Sequence, residues 1–294
     1  MRQALISLAV MALLSPALSF AAPAAQPETV VLLAAIGDRI DVVRQRPQTD
    51  SHVEPYTRET LQVPNQLLNY AVLRGLDRAL TEEEPDARHV LLQWTMPADL
   101  AGKLEKISGS QRQELVQAAL IEHLRQLPER QGWDRIEVIV PAYTYLELRG
   151  MGTKLNGIGI YIQPLAHQDI NTDTMATNGD VSTSASNGDL RTLNPHTGEI
   201  GHSSVYVAPY MYFERLTFSA RTLELIKRQR FFDNTKYADP MSTAVDVGNQ
   251  MTPQEKLGKL VESVERSAYR SIRPVTSEVT TTAPRPVDPA SSPR

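Results

Sequence analysis

Apolar positions along the chain fall into short runs and helical stripes separated by polar connectors. Val30 to Ile36 is an unbroken aliphatic run. Gly37-Asp38 follows, and Arg39 to Arg44 then alternates apolar with charged side chains. Strand, two-residue turn and strand account for this pattern, so it predicts a hairpin. Residues 45–62 are polar and turn-rich. From Pro64 the period becomes helical, with Leu67, Leu68, Ala71, Val72, Gly75, Leu76, Ala79 and Leu80 on one face. His89 to Trp94 reads as a short strand, 98–107 as a helix, and Ser110 to Leu127 as a second helix capped by Ser110. Asp134 to Leu148 and Ile158 to Leu165 carry β-patterns, joined by a glycine-containing connector, Gly150 to Gly157. Val205 to Ser219 and Thr222 to Phe232 form a strand pair around Ser219-Ala220-Arg221. Residues 252–272 form a closing amphipathic helix striped by Leu257, Leu260, Val261, Val264 and Ala268.

This order predicts one α+β domain over 29–272: a mixed β-sheet, helices mainly on one face, and a long polar loop at 166–203. Residues 22–28 read as a flexible lead-in, and 273–294, rich in Pro, Ser and Thr, as a disordered tail. The first 21 residues read as a cleavable signal peptide. Arg2 is followed by an apolar run from Ala4 to Leu14, with Pro16 next, and Ser19 and Ala21 stand at −3 and −1 of a cut before Ala22. The run is too short to span a bilayer, which needs about 20 residues. No later stretch approaches that length, so the expected site of action is a bacterial periplasm or the exterior.

Composition narrows the chemistry. There is no cysteine, which excludes disulfides, thiolate metal sites and a cysteine nucleophile. The net charge is −4, and the leader removes only Arg2, leaving −5. Without a basic block there is no electrostatic footprint for nucleic acid.

The strand Val30–Ile36, the helix Pro64–Leu80 and the strand His89–Trp94 together resemble the anticodon-binding-like modules of periplasmic envelope proteins. Examples are the TolB N-terminal domain, the curli secretion protein CsgG and the lipoprotein activators of penicillin-binding proteins. The resemblance covers about half of the mature chain and is one of pattern, not motif. The segment Gly150 to Leu165 is similar to part of an uncharacterised family of secreted proteobacterial proteins, which implies no activity.

Tyrosines form the most suggestive set. Tyr206, Tyr210 and Tyr212 are evenly spaced, so a regular strand puts them on one face. Tyr143 and Tyr145 do the same on an earlier strand, and Tyr161 lies between. Such a row either holds a glycan or peptide by stacking and hydroxyl hydrogen bonds, or covers the sheet beneath a helix. Asp169, Asn171, Asp173 and Asp180 occupy positions 1, 3, 5 and 12 of a calcium loop. Thr174 replaces the glycine at position 6 and no helix flanks the loop, so the alternative is a solvated polar insertion. Calcium is the one ion this pattern suggests; no other cofactor is called for.

The glycines 150, 152, 157 and 159 around Lys154 fit neither a P-loop nor a dinucleotide fingerprint. The six histidines, at 52, 89, 123, 167, 196 and 202, form no zinc-protease pair, and no Gly-x-Ser-x-Gly is present. The leading expectation is a non-catalytic binding or assembly-accessory domain whose partner is an envelope protein or a cell-wall glycan. The alternative is a secreted ester or phosphoester hydrolase built near 166–203 from Asp169, Asp173, His196 and His202.

Overall fold

The computed structural model describes residues 27–45, 56–104, 106–107, 109–143, 155–164 and 191–273. The expected leader, the expected tail after Arg273, the calcium-loop residues and Tyr145 all lie outside the described residues. Thr29–Ala34 forms β1, buried from Val30 onward. A strand covered on both sides needs apolar side chains at every position, hence a run that does not alternate. Val30, Leu32 and Ala34 enter one apolar cluster, and Val31, Leu33 and Ala35 enter another on the opposite face.

β2 (Arg39–Gln45) does not fold back on β1. β1 lies between β4 (Arg88–Gln93) and β5 (Arg135–Pro141), parallel to both. β2 lies between β6 (Ile158–Gln163), to which it is parallel, and β3 (Tyr56–Gln62), to which it is antiparallel. The predicted hairpin is therefore corrected to one bent, continuing line. Gly37 takes φ 80°, while the Ala35 N–H stays in the ladder, donating to the Ile139 carbonyl at 2.9 Å. β3 falls within residues read as turns; its exposed side chains give it no apolar alternation.

A second hairpin, β7 (Arg191–Leu193) with β8 (Ile200–His202), occupies the end of the expected 166–203 loop. Next comes β9 (Tyr206–Ser219), which organises the sheet. Residues 206–211 pair with β6 and 213–219 with β5, both antiparallel. Between them Tyr212 donates its N–H to Gly157 and accepts from the Ala142 N–H, at 2.7 and 2.9 Å. Both partners therefore lie on one edge of β9, and β5 and β6 follow one another along that edge in a single line. β10 (Leu225–Asn234) takes the other edge, as the predicted strand pair requires. Its ladder ends at the Asn234–Tyr210 pair, just before Pro209, which has no N–H to offer.

The α+β class and the mixed sheet are those read from the sequence; the helix placement differs. α1 (Leu67–Glu83) and α4 (Pro253–Ile272) pack on one face, and α2 (Ala98–Leu104) and α3 (Gly109–Arg125) on the other. Continuous burial of β1 demands cover on both sides, which helices on one face cannot provide. α4 opens with Pro253 and a reciprocal capping box between Thr252 and Glu255. It lies close to α1 because Gly75 carries no side chain. A Cβ there would run into the Glu265 carbonyl and lie 2.9 Å from that of Ala268.

Beneath α4 the sheet buries an ionic group. Glu137 accepts from the Thr217 hydroxyl at 2.9 Å and lies 3.4 Å from the Arg215 guanidinium, which also donates to the Ser271 carbonyl of α4. Burial pushes the Glu137 carboxyl up, against the pull of Arg215 and Thr217. Burial likewise pushes Arg215 down, against the pull of Glu137. Both directions say that desolvation exceeds the mutual attraction. Breaking a buried pair strands one ion, whereas replacing both partners with apolar groups is often neutral. Glu137→Leu alone should therefore cost about 3–5 kcal/mol in chemical denaturation. The Glu137→Leu/Arg215→Met double variant should recover most of that loss.

Candidate functional site

Four of the six candidate tyrosines gather on one patch of the sheet. Tyr206, Tyr210 and Tyr212 alternate along β9 and meet Tyr161 of β6 on the face opposite α1 and α4. Tyr161 and Tyr206 have centroids 6.0 Å apart, Tyr210 and Tyr212 5.4 Å, and Tyr212 meets Phe232 edge-on at 5.0 Å. All four tyrosines are completely buried. A stacking platform must offer a ring face to its ligand, so the open platform is corrected to a packed aromatic cluster. The Tyr161 hydroxyl donates to Gln45 at 2.9 Å, and the Gln163 amide donates to the Ser204 carbonyl at 2.6 Å. Tyr143 lies apart, against the α2–α3 cluster. Burial pushes its hydroxyl up to about 12, with Arg112 pulling the other way.

The cluster also accounts for part of the glycine-rich segment. Gly159 stands opposite Tyr210 in the ladder and beside Asp41. A Cβ at Gly159 would collide with the Asp41 carbonyl and sit 2.7 Å from the Tyr210 hydroxyl. Gly157 makes the turn into β6 at φ 61°. Gly159 thus serves close strand packing and Gly157 a left-handed turn.

The open surface lies elsewhere. Leu193 of β7 donates to the Lys236 carbonyl (2.9 Å) and accepts from Ala238 (3.0 Å), which ties the β7–β8 hairpin to the sheet. Its turn is closed by Asn194, whose side-chain oxygen accepts from the N–H groups of His196 and Thr197 at 2.9 and 3.1 Å. Gly198 completes the turn at φ 76°. Residues 191–202 of the expected loop 166–203 thus form a built hairpin, and 166–190 lie outside the described residues. Its Asn-Pro-x-x-Gly turn was the sequence signal for it.

Between this turn and α4 runs a groove with two lobes of about 370 and 590 Å³ that share His196, Lys259 and Glu262. Its charges are engaged by neighbours. Lys259 meets Glu262 at 3.1 Å and sits 5.4 Å from the centre of the Tyr237 ring. Arg78 reaches Glu265 at 3.4 Å, and Arg266 donates to the Thr235 hydroxyl at 2.6 Å. Glu255 accepts the Thr252 N–H at 2.6 Å, with His196 at 3.9 Å. That backbone N–H, then the Thr252 side chain and His196, hold the Glu255 carboxyl below its usual range. A general acid working near neutral pH needs a shift in the other direction.

His202 sits at the opposite end of the hairpin, paired with Arg191, so the structure does not bring His196 and His202 together. Asp169 and Asp173 lie outside the described residues. Among the described residues no group of three His, Asp or Glu side chains is arranged to hold a metal ion. Sequence reading missed the buried ions Glu137, Arg215 and Glu214. Glu214, wholly inaccessible, pairs with Arg230 at 2.6 Å. None of them lines the groove.

No family model matches the chain, and no curated protein matches it. Among solved structures it is similar to protein XCC0632 from Xanthomonas campestris, described as DUF330. The TM-score is 0.32 and the identity 9%, over 85% of this chain and 86% of that one. A likeness at that level carries no functional argument.

Two outcomes follow. Gly159→Ala should lower stability by about 1–3 kcal/mol through overpacking, read as a fall in the unfolding midpoint. Because the folded Glu255 carboxyl titrates below its unfolded counterpart, its contribution is complete above the unfolded pKa and fades as pH falls through the folded one. The unfolding midpoint of Glu255→Gln should therefore decline less than that of the parent as pH drops through the carboxylate range.

Proposed function

We propose that this chain is an exported protein of the bacterial cell envelope that works as a non-catalytic binding or assembly-accessory domain. The observation that carries the non-catalytic reading is the state of the groove beside α4. Its acids and bases are committed to neighbouring side chains or to the helix cap, and the carboxyl that approaches its histidine is held below its usual range, first by the Thr252 N–H. Such a lining offers a fixed pattern of alternating charge to a partner rather than a proton to a substrate. The leader-like start at 1–21 supports export, and its cut site is before Ala22. The partner class we favour is an envelope protein or a cell-wall glycan.

The test is expression of the full chain in a Gram-negative host, followed by fractionation and N-terminal sequencing. The expected result is a protein outside the cytoplasm that begins at Ala22 and binds an envelope partner, with Lys259→Glu weakening that binding. An intact Met1 on a cytosolic protein sinks the export half of the proposal. Turnover of a generic ester or phosphoester substrate that disappears in His196→Ala establishes the hydrolase instead.

A further inference from the structure

Among the described residues the two most exposed large apolar side chains are Val245, at 94%, and Met241, at 85%. Both lie in the connector between β10 and α4. Beside that connector stands Ile200 of β8, which is 62% exposed. A Cβ on the adjoining Gly201 would meet the Pro240 ring at 3.8 Å, so the β7–β8 hairpin and the connector share one end of the molecule.

The connector is anchored at both ends and uncharged between them. Ala238 and Val247 are buried. The two acids that flank the tip are drawn back into the body. Asp239 accepts from the Asn194 amide at 3.2 Å, and Asp246 pairs with Arg44 and accepts from the Gly248 N–H at 2.8 Å. Residues 240–245, Pro-Met-Ser-Thr-Ala-Val, carry no charge. Their backbone donors are largely served from within. The Met241 N–H donates to the Asp239 carboxylate at 3.0 Å, the Ser242 N–H to the Asp239 carbonyl at 3.2 Å, and the Ala244 N–H to the Ser242 hydroxyl at 3.2 Å. Leaving water costs most where a backbone N–H is unpaired, and this tip has already paired these three.

We propose that the tip dips into the surface of a lipid bilayer, with Met241, Val245 and Ile200 entering the boundary between headgroups and acyl chains. Shape and area favour lipid over a second protein. Side chains this exposed protrude, and three of them fall well short of the ~1,200 Å² total that a stable protein interface buries. A fluid bilayer needs no complementary shape and gains from each apolar side chain separately. The attraction is to acyl chains and not to headgroup charge, because the tip carries no charge of its own. Export decides which membrane is met; the affinity for lipid belongs to the folded chain itself.

Met241→Trp supplies the probe, because Trp94 and Trp133 are both buried and give a steady background. The purified protein, its leader removed before Ala22, is mixed with phosphatidylcholine vesicles. The expected result is a blue shift in emission that lipids brominated on their acyl chains quench. The same response should appear on phosphatidylglycerol vesicles in high salt, where headgroup attraction is screened. Adding Val245→Asp should lower partitioning about tenfold, with the far-UV spectrum retained because the side chain is exposed. No blue shift on either vesicle overturns the proposal, as does a Val245→Asp variant that partitions equally. Binding to phosphatidylglycerol alone that salt abolishes assigns the contact to headgroups and overturns it too. So does a blue shift that grows with protein concentration without lipid, which assigns the tip to a second copy. Failure of export in the host leaves the vesicle result standing, and a chain that is exported but ignores vesicles fails here alone.

Discussion

Backbone hydrogen bonding along a single edge of β9 holds the two halves of this sheet together. One half is β4, β1 and β5; the other is β3, β2 and β6. Neither half is joined to the other by a shared neighbour except through β9, whose first residues bind β6 and whose last bind β5. Tyr212 sits at the joint and bonds to both Gly157 and Ala142. The line formed by β1 and β2 must then bend where the line formed by β5 and β6 opens, and Gly37 provides that bend. The packing of Gly159 under Tyr210 follows from the same requirement. Three lines lie close enough there that a single methyl group has no room.

Two-sided burial sets the remaining architecture. β1 has no polar position between Val30 and Ala34, so helices must cover both of its faces. α1 and α4 seal one face through an approach that depends on Gly75, and α2 and α3 seal the aliphatic part of the other. The tyrosine cluster fills the part of that second face beyond α2 and α3. Its rings extend from β9 toward β2 and β10 and bury a large apolar area, while the Tyr161 hydroxyl donates to Gln45. Beneath α4 the same demand for cover enclosed Glu137 and Arg215. Opposed desolvation shifts on the two partners mark an arrangement that fixes how α4 sits more than it stabilises the fold.

Much of this was legible in the amino-acid pattern. The stripe beginning at Leu67 and the one ending at Ala268 gave both helices of one layer, and the β9–β10 hairpin followed from its alternation. Three features were not legible, for distinct physical reasons. Gly37-Asp38 has the chemistry of a reversing turn, and only the distant β5 and β6 make the chain continue past it. β3 is an edge strand whose exposed side chains carry no hydrophobic period. Whether evenly spaced tyrosines form a platform or a core depends on what packs above them, and spacing specifies only that they share a face. The hairpin over 191–202 was more accessible, since Asn194, Pro195 and Gly198 spell its turn.

The groove beside α4 depends on every level below it. Its floor, Tyr237, is held by reciprocal backbone hydrogen bonds with Val207 of β9, and that same stretch of chain anchors β7. Its far wall is the first half of α4, whose start is fixed by the Thr252–Glu255 cap. The cap also takes up the carboxylate that approaches His196, so the device that begins the helix holds that carboxyl below its usual range. A surface whose charges are engaged by its own neighbours is already patterned. It therefore pays little ordering entropy when a partner docks. That economy is what the proposed binding role asks of the groove.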